Sequence, residues 1–283
     1  MSKGVIIFLS ILLIILLIVA VSLIANFHFN RKIKEEVNDF FSKIEFREEM
    51  IEETDLAGLP PSVQKWLQYS QVIGNERINA VRLKQNSEMK LKEDQAWMPV
   101  QVEQYFTVDE PGFIWKAKIK AAPLVHIVGR DKYEEGRGNM RIKVMSLIKV
   151  ADATGAEMDQ GTLLRYLAEI VWFPTAALSN YITWEEIDQK SALATMSYGG
   201  VTASGVFNFN QKGEVVSFTA ERYGEFDGEY RIETWLVSME GYKEFQGIMI
   251  PTKGQVTWKL EDGDFNWFKF DITDIEYNKP IAF

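Results

Sequence analysis

The longest unbroken hydrophobic pattern lies near the amino terminus, where residues 4–27 carry no charge and only three polar side chains. A helix rises about 1.5 Å per residue, so this run is long enough to cross the roughly 30 Å hydrocarbon layer of a bilayer. It also exceeds the roughly 7–15 apolar residues at the centre of a cleaved signal sequence. The pattern therefore predicts a transmembrane anchor over residues 1–28, with a cleaved signal sequence as the alternative.

The next segment changes to an amphipathic pattern, in which Ile33, Val37, Phe40 and Ile44 recur at helical spacing between Lys and Glu residues. This spacing predicts a helix over residues 31–53. We interpret it as a juxtamembrane spacer, so that residues 29–55 form an amphipathic helix or linker. A dimerising coiled coil is the alternative, although the pattern is short for one.

Beyond residue 55 the chain begins with a short predicted helix at LPPSVQKWLQYS and then alternates with a period of two from residue 79 onward. In GFIWKAKIKA one face is aromatic and aliphatic and the other is mostly basic, as in a half-exposed antiparallel strand. A strongly apolar helix is predicted at about 157–180, and strands resume from there to the end. We therefore predict a mainly β (α+β) domain over residues 56–283, a long curved antiparallel sheet or half-barrel covered by a helix.

The covering helix contains the stretch RYLAEIVWFP, in which Arg165 and Glu169 are four residues apart in an otherwise apolar run. Such residues are neighbours on a helix and can form an ion pair. The pair either fixes a buried helix against the sheet, or Arg165 contacts a carboxylate or phosphate head group inside an apolar cavity. Glu169 as a general acid or base is the third reading. Asp131 is expected to pair with the adjacent Arg130 or to cap a turn.

The amino-acid composition argues against several kinds of partner and functional site. The formal net charge is −9 and the isoelectric point is near 5.0, which argues against a nucleic-acid partner because phosphate binding needs a basic surface. The chain has no cysteine, so disulfides, thiolate catalysis and Cys-based zinc sites are excluded. His126 is the one histidine beyond the anchor and is interpreted as a strand residue. We expect no cofactor, no metal and no catalytic constellation that the sequence alone reveals.

Several longer motifs carry a family resemblance. They are LPPSVQKWL, VGRDKYEEGRGNM, LLRYLAEIVWFP and the ending GIMIPTKGQVTW…DGDFNWFKFDITDIEYN. With these motifs the chain resembles, from residue 56 to 278, a bacterial family of membrane-anchored proteins of unknown function. More distantly, Gly247-x-x-Ile250-Pro251-Thr252 and the two long strands that follow are similar to the lipoprotein-carrier (LolA/LolB-like) fold. That resemblance implies a half-open barrel that holds acyl chains.

These observations favour a single-pass membrane protein whose β domain binds a lipid or another hydrophobic ligand in its concave face. The alternatives are a cell-envelope enzyme that uses carboxylate acid–base catalysis and a structural or partner-binding module. The fold resemblance implies an extracytoplasmic domain, whereas Arg31, Lys32 and Lys34 after the anchor favour a cytoplasmic one. The oligomeric state is left open. The expected ligand-binding residues are Arg165, Glu169, Tyr166, Trp172, Asp131 and Trp115.

Overall fold

The computed structural model describes residues 2–283, and its longest element is a single N-terminal helix, α1, which spans Lys3–Ser42. No proline and no glycine after Gly4 interrupts this stretch, so nothing in the backbone separates the apolar part from the amphipathic part. The helix ends eleven residues earlier than the predicted limit of 53. The reason is that Ile51 leaves the helical path, donates a backbone hydrogen bond to Asn75 and is buried in the domain core.

The rest of the chain contains two more α-helices, three short 3-10 helices and the strands of one sheet. The 3-10 helices are Glu53–Leu56, Ile170–Trp172 and Pro174–Leu178. The other elements are, in chain order, α2 (Pro61–Tyr69), β1 (Ala80–Met89), β2 (Met98–Thr107), β3 (Gly112–Ala122), β4 (Val125–Glu134), β5 (Arg137–Val144), β6 (Ile148–Ala153), α3 (Ala156–Glu169), β7 (Ile182–Asp188), β8 (Ser191–Tyr198), β9 (Val201–Phe209), β10 (Val215–Phe226), β11 (Glu229–Phe245), β12 (Ile248–Leu260) and β13 (Gly263–Tyr277).

All 13 strands form one antiparallel sheet in the order β6-β5-β4-β3-β2-β1-β13-β12-β11-β10-β9-β8-β7. Twist accumulates over so many strands and curls the sheet into a half-barrel. Two arms of the sheet meet where the turn at Gly136 touches the turn at Gly199, so closely that a Cβ on Gly136 would lie 2.6 Å from the Cα of Gly199. The predicted curved antiparallel half-barrel is therefore confirmed.

Helix α3 lies between the two arms of the sheet and contacts β4 and β5 on one side and β8, β9 and β10 on the other. It packs against β5 at Gly138, where a Cβ would lie 2.5 Å from the carbonyl oxygen of Met158. Asp159 fixes this contact by accepting a 2.7 Å hydrogen bond from the backbone N–H of Gly138. The α-helix ends at Glu169 and continues as 3-10 turns to Leu178, since Pro174 cannot donate a backbone hydrogen bond.

Hydrophobic side chains are buried on both faces of the sheet. The concave face and the helices α2 and α3 form the large interior core. On the convex face, Ile33, Val37 and Phe40 of α1 pack against Tyr105 and Ile114. The apolar side of the predicted spacer helix is thus covered by the protein's own sheet, so it is neither a free spacer nor the seam of a coiled coil. A single helix covers residues 3–42, and the division into anchor, linker and domain stays a prediction.

Candidate functional site

The interior of the half-barrel has two zones, which differ in polarity and in the exposure of their side chains. We call the first the sealed core, and its aromatic side chains are completely buried: Trp66, Phe106, Phe113, Tyr133, Tyr166, Phe173, Phe207 and Phe218. We call the second the chamber, and we define it by four charged side chains and the aromatic side chains beside them: Asp131, Arg165, Glu169, Arg222, Trp115, Trp235, Trp258 and Phe268. The ring centroids of Trp115 and Phe268 are 6.4 Å apart, which joins the β3 and β13 walls of the chamber.

Exposure increases along the strands from the sealed core into the chamber. On β4, every second side chain faces inward: Tyr133 is fully buried and the Asp131 side chain is 19% exposed. On β10, Phe218 is fully buried while Arg222 is half-buried. Because these side chains point into the barrel, the exposed area belongs to an opening of the interior. The chamber is therefore reached by solvent, and the sealed core is not.

Arg165 lies at the centre of the chamber and holds two carboxylates. Its Nη1 donates to Asp131 at 2.8 Å and its Nε donates to Glu169 at 2.9 Å. The guanidinium carbon also lies 4.9 Å from the centroid of Phe113 and 5.0 Å from that of Trp115. The helical spacing of Arg165 and Glu169 thus produces the expected ion pair, and α3 is tied to β4 through Asp131.

Glu169 is further held by a row of polar side chains on the inward faces of β1 and β2. Gln104 donates to its second carboxylate oxygen at 2.8 Å, and Gln85 donates to Gln104 at 3.1 Å. Ser87 completes the row by donating to Gln85 at 3.2 Å. Both oxygens of Glu169 therefore accept hydrogen bonds from the protein itself.

Asp131 does not pair with Arg130, contrary to the expectation from their adjacency. Neighbouring residues of a strand point to opposite faces of the sheet. Asp131 faces the chamber, while Arg130 faces the convex side, where its Nε lies 3.3 Å from Glu36 of α1. Sequence proximity was misleading because the side-chain period of a strand is two.

Arg222 of β10 is the chamber residue that sequence reasoning missed. Its Nε donates to the carbonyl oxygen of Gly161 at 3.2 Å, and its guanidinium lies 4.9 Å from the centroid of Trp235 and 5.6 Å from that of Trp258. Among residues 2–283 no carboxylate lies within 4.0 Å of it. Burial, assisted by the positive charge of Arg165, lowers the pKa of Arg222 to about 10. The group is therefore still charged at neutral pH.

The remaining predicted ligand residues lie at different depths. Tyr166 and Trp172 are packed in the interior, and the Tyr166 hydroxyl donates to the carbonyl oxygen of Thr107 at 2.9 Å. The apolar side of α3 likewise fills the core, and does not line an open cavity. Trp115 lies at the boundary with the chamber, and its indole N–H, like that of Trp235, has no hydrogen-bond partner within residues 2–283.

The chamber carboxylates are perturbed by their surroundings. Burial raises the pKa of Glu169 and of Asp131 above their ordinary values, and Arg165 opposes both shifts. The two groups share one guanidinium, so each is already engaged in a charged hydrogen bond. In the described part of the chain, no three His, Asp or Glu side chains are grouped in a way that could hold a metal ion.

Comparison with known proteins assigns the chain to a family. Residues 49–270 match the profile described as "Family of unknown function (DUF6544)", so the chain belongs to that family. The resemblance to a family of unknown function is thereby confirmed. No functionally curated protein matches the chain.

Solved structures with a similar fold share little sequence. A LolA superfamily protein from Nitrosomonas europaea has 10% identity and a TM-score of 0.40, over 77% of this chain and 94% of that one. A putative outer membrane lipoprotein-sorting protein domain from Vibrio parahaemolyticus has 8% identity and a TM-score of 0.39, over 78% and 92%. A DUF1329 family protein from Desulfovibrio piger has 8% identity and a TM-score of 0.40, over 78% and 93%. The distant LolA-like resemblance is thus found at the level of the fold alone.

Proposed function

We propose that this protein is a membrane-anchored binding domain that holds an amphipathic ligand with an anionic head group, such as an anionic lipid, in its chamber. The observation that carries the proposal is the environment of Arg222. This charged guanidinium faces the interior between two indole rings and has no carboxylate partner among residues 2–283. An unpaired charge in such a place costs free energy, and an anionic ligand that binds there would compensate it.

The donors around Arg222 suit a phosphate or carboxylate group. An arginine presents several N–H groups in a planar fork that matches such anions. Arg222 uses its Nε on Gly161, so its two terminal nitrogens are free to bind a ligand. The partnerless indole N–H of Trp235 adds a donor in the same region. We assign the head-group contact first to Arg222. Arg165 is a second positive charge nearby, but it is already paired with Asp131 and Glu169.

The aromatic walls suit the apolar part of the ligand. Trp115 lies beside Arg165, Trp258 lies beside Arg222, and Phe268 contacts Trp115. Burial of an acyl chain contributes about 0.8 kcal/mol per CH2 group, so even a short buried segment adds appreciable affinity. No covalent step is required.

The test is native mass spectrometry of the full chain after extraction in a mild detergent. We expect the wild-type protein to carry an anionic lipid, or to bind added phosphatidylglycerol. Arg222→Leu should lower the affinity roughly ten- to a hundredfold, because each charged hydrogen bond contributes about 1.5–3 kcal/mol. Arg82→Leu is the matched control, since Arg82 also stacks on an aromatic ring, that of Phe283, but lies on the convex side of the sheet and is paired with Glu276.

Two results would contradict the proposal. One is a wild-type protein that stays empty after incubation with phosphatidylglycerol. The other is an Arg222→Leu variant that retains as much lipid as the Arg82→Leu variant. A folded Arg222→Leu protein, checked by circular dichroism, makes the comparison meaningful.

The membrane part of the proposal rests on α1. This helix is long and apolar enough to cross a bilayer, and its most apolar stretch is not buried against the rest of the protein. A signal sequence near the amino terminus has the same properties, so retention of α1 is part of the proposal. We also propose, against the charges after the anchor, that the domain is extracytoplasmic. Cleavage of the domain by protease in intact cells supports that placement, and protection contradicts it.

A further inference from the structure

Helix α1 is not connected to the domain by a flexible tether but is fixed along the convex face of the sheet. The ring of Phe41 lies 5.9 Å from that of Tyr105. One turn earlier, Glu36 pairs with the buried Arg130 at 3.3 Å. Because these contacts are spread along the helix, the domain has one orientation relative to the direction of α1.

The contacts continue into the apolar run. Asn26 accepts a 3.3 Å hydrogen bond from Ser146, and the Ser22 hydroxyl donates to the carbonyl oxygen of Met145 at 3.1 Å. A span of about 20 residues crosses the hydrocarbon layer, so a span that starts at residue 4 ends close to Ser22. The β5–β6 turn, which contains Met145 and Ser146, therefore lies at the level where α1 leaves the hydrocarbon layer.

The β3–β4 turn extends beyond that level. The N–H of Met145 donates to the carbonyl oxygen of His126 at 2.8 Å, which aligns these two residues. Leu124 precedes His126 by two residues and lies in the turn before the first residue of β4, on the side of His126 away from the rest of that strand. Its side chain is 78% exposed. On a soluble surface this leucine would be fully hydrated.

Leu124 belongs to a group of exposed apolar side chains on these two neighbouring turns, which we call the apolar tips. Its members are Leu124 (78% exposed), Val125 (39%), Leu147 (42%), Ile148 (65%) and Val150 (56%). Single exposed apolar residues are ordinary, but a cluster at one edge marks an interaction surface.

The charges around the apolar tips have the sign that anionic lipids attract. Residues 118–128 and 141–150 contain no acidic residue, although the chain as a whole has a net charge of −9. Lys118, Lys120 and Lys143 have no carboxylate within 4.0 Å among residues 2–283. Basic residues beside a membrane-spanning helix are attracted by the surface potential of anionic lipids.

We propose that the apolar tips dock into the head-group region of the same bilayer that α1 crosses. This inference rests on the proposed function in one respect, namely that α1 is a retained anchor. It adds a second, independent contact with the bilayer.

The chain contains no cysteine, so single-cysteine variants of the full-length protein can be labelled at chosen sites. We suggest Leu124→Cys and Ile148→Cys in the tips, Leu13→Cys in α1 and Phe46→Cys as a control, each labelled with a polarity-sensitive fluorophore. All four side chains are exposed. Phe46 follows the end of α1, about 30 Å along the helix from Ser22.

The labelled proteins are reconstituted in vesicles of equimolar phosphatidylcholine and phosphatidylglycerol that contain nitroxide lipids. At residues 124 and 148 we expect a blue-shifted emission and a loss of intensity that is larger with head-group nitroxides than with deep-chain nitroxides. At residue 13 the deep-chain nitroxides should quench more strongly. The label at residue 46 should show neither a shift nor a loss.

The outcomes separate the two proposals. If residue 13 is quenched and residues 124 and 148 behave like residue 46, α1 is an anchor but the tips do not dock, and this inference is overturned. If residue 13 is not quenched either, both the anchor and the docking are wrong. Lipid occupancy of the chamber is measured separately by native mass spectrometry and does not decide between these results.

Discussion

The sealed core and the chamber are built from the same strands and the same helix, yet their side chains are opposite in character. On α3, Tyr166 points into the sealed core and is fully buried, whereas its neighbour Arg165 points into the chamber. On β4, Tyr133 and Asp131 face the same interior two residues apart. Residues one position apart on the helix, or two positions apart on the strand, therefore lie in different zones, one in the sealed core and the other in the charged chamber.

The difference in polarity between the two zones indicates which part of the barrel stabilises the fold. Aromatic rings in the sealed core, such as Phe106 and Phe173 at 4.6 Å, gain both area burial and ring contacts. The chamber instead holds two guanidinium groups and two carboxylates, whose desolvation offsets most of their attraction. Charged groups in that position contribute little to stability, so their presence calls for a different explanation, which a ligand would provide.

The largest expected effect is a cavity in the sealed core. Phe106→Ala should lower the free energy of unfolding by about 3–5 kcal/mol, because Phe106 is fully buried among other rings. Urea unfolding of the full chain in detergent, followed by tryptophan fluorescence, measures the loss. Phe226→Ala, at a half-buried position beside the chamber residue Trp258, should cost only about 1 kcal/mol. Equal losses for the two variants would remove the distinction between the zones.

The next effect compares the two chamber arginines. Arg165→Leu leaves Asp131 and Glu169 without their shared partner and should cost about 3 kcal/mol, because unpaired carboxylates remain in a poorly hydrated site. Arg222→Leu should cost less than about 1 kcal/mol, since it breaks one hydrogen bond to Gly161 and leaves no carboxylate unpaired.

A further variant tests whether the unpaired carboxylates cause the loss of stability in Arg165→Leu. A triple variant that combines Arg165→Leu with Asp131→Asn and Glu169→Gln removes the stranded charges and should recover part of the loss in the same urea experiment. If the triple variant is less stable than Arg165→Leu alone, the carboxylates are not the cause of the loss. The chamber arginines would then act mainly through packing.

Much of the fold follows from local patterns. The period of two in β3 places Phe113 and Trp115 inward and Lys116 outward, as the structure confirms. The nearly all-apolar circumference of α3 is explained by contacts with both arms of the sheet. The predicted end of α1 was wrong because Ile51 forms a backbone hydrogen bond with a residue 24 positions further along the chain, Asn75. Such a long-range contact cannot be recognised from the local sequence pattern.

Only some of the contacts in the chamber could be predicted from the sequence. Spacing gave the pair of Arg165 and Glu169, but the third member, Asp131, depends on the packing of α3 against β4. A signal for Arg222 was present, since Phe218, Ala220 and Phe226 define the inward face of β10 and Arg222 occupies the same face. A charged residue on the apolar face of a strand is an exception that sequence reasoning can detect.

The smallest expected effect is a pH dependence of stability, and it has opposite signs inside and outside the chamber. Burial raises the pKa of Glu169 in the folded state, so the folded protein binds this proton more tightly than the unfolded chain does. The contribution of Glu169 to stability therefore falls as pH rises from about 4 through the raised pKa. Relative to wild type, Glu169→Gln should gain stability over that interval, because glutamine does not ionise.

Asp152 on the exposed edge strand β6 provides the matched control with the opposite sign. Hydrogen bonds from Asn139, Arg141 and Lys149 lower its pKa to about 2. Its contribution to stability is present above about pH 4 and is lost as pH falls towards 2. Thermal unfolding is measured from about pH 2 to pH 7 for wild type, Glu169→Gln and Asp152→Asn. The difference in stability between each variant and wild type should change in a separate pH window. If Glu169→Gln follows the profile of Asp152→Asn, the charge of Glu169 is stabilised by Arg165 more than it is destabilised by burial, and the chamber is electrostatically no different from the protein surface.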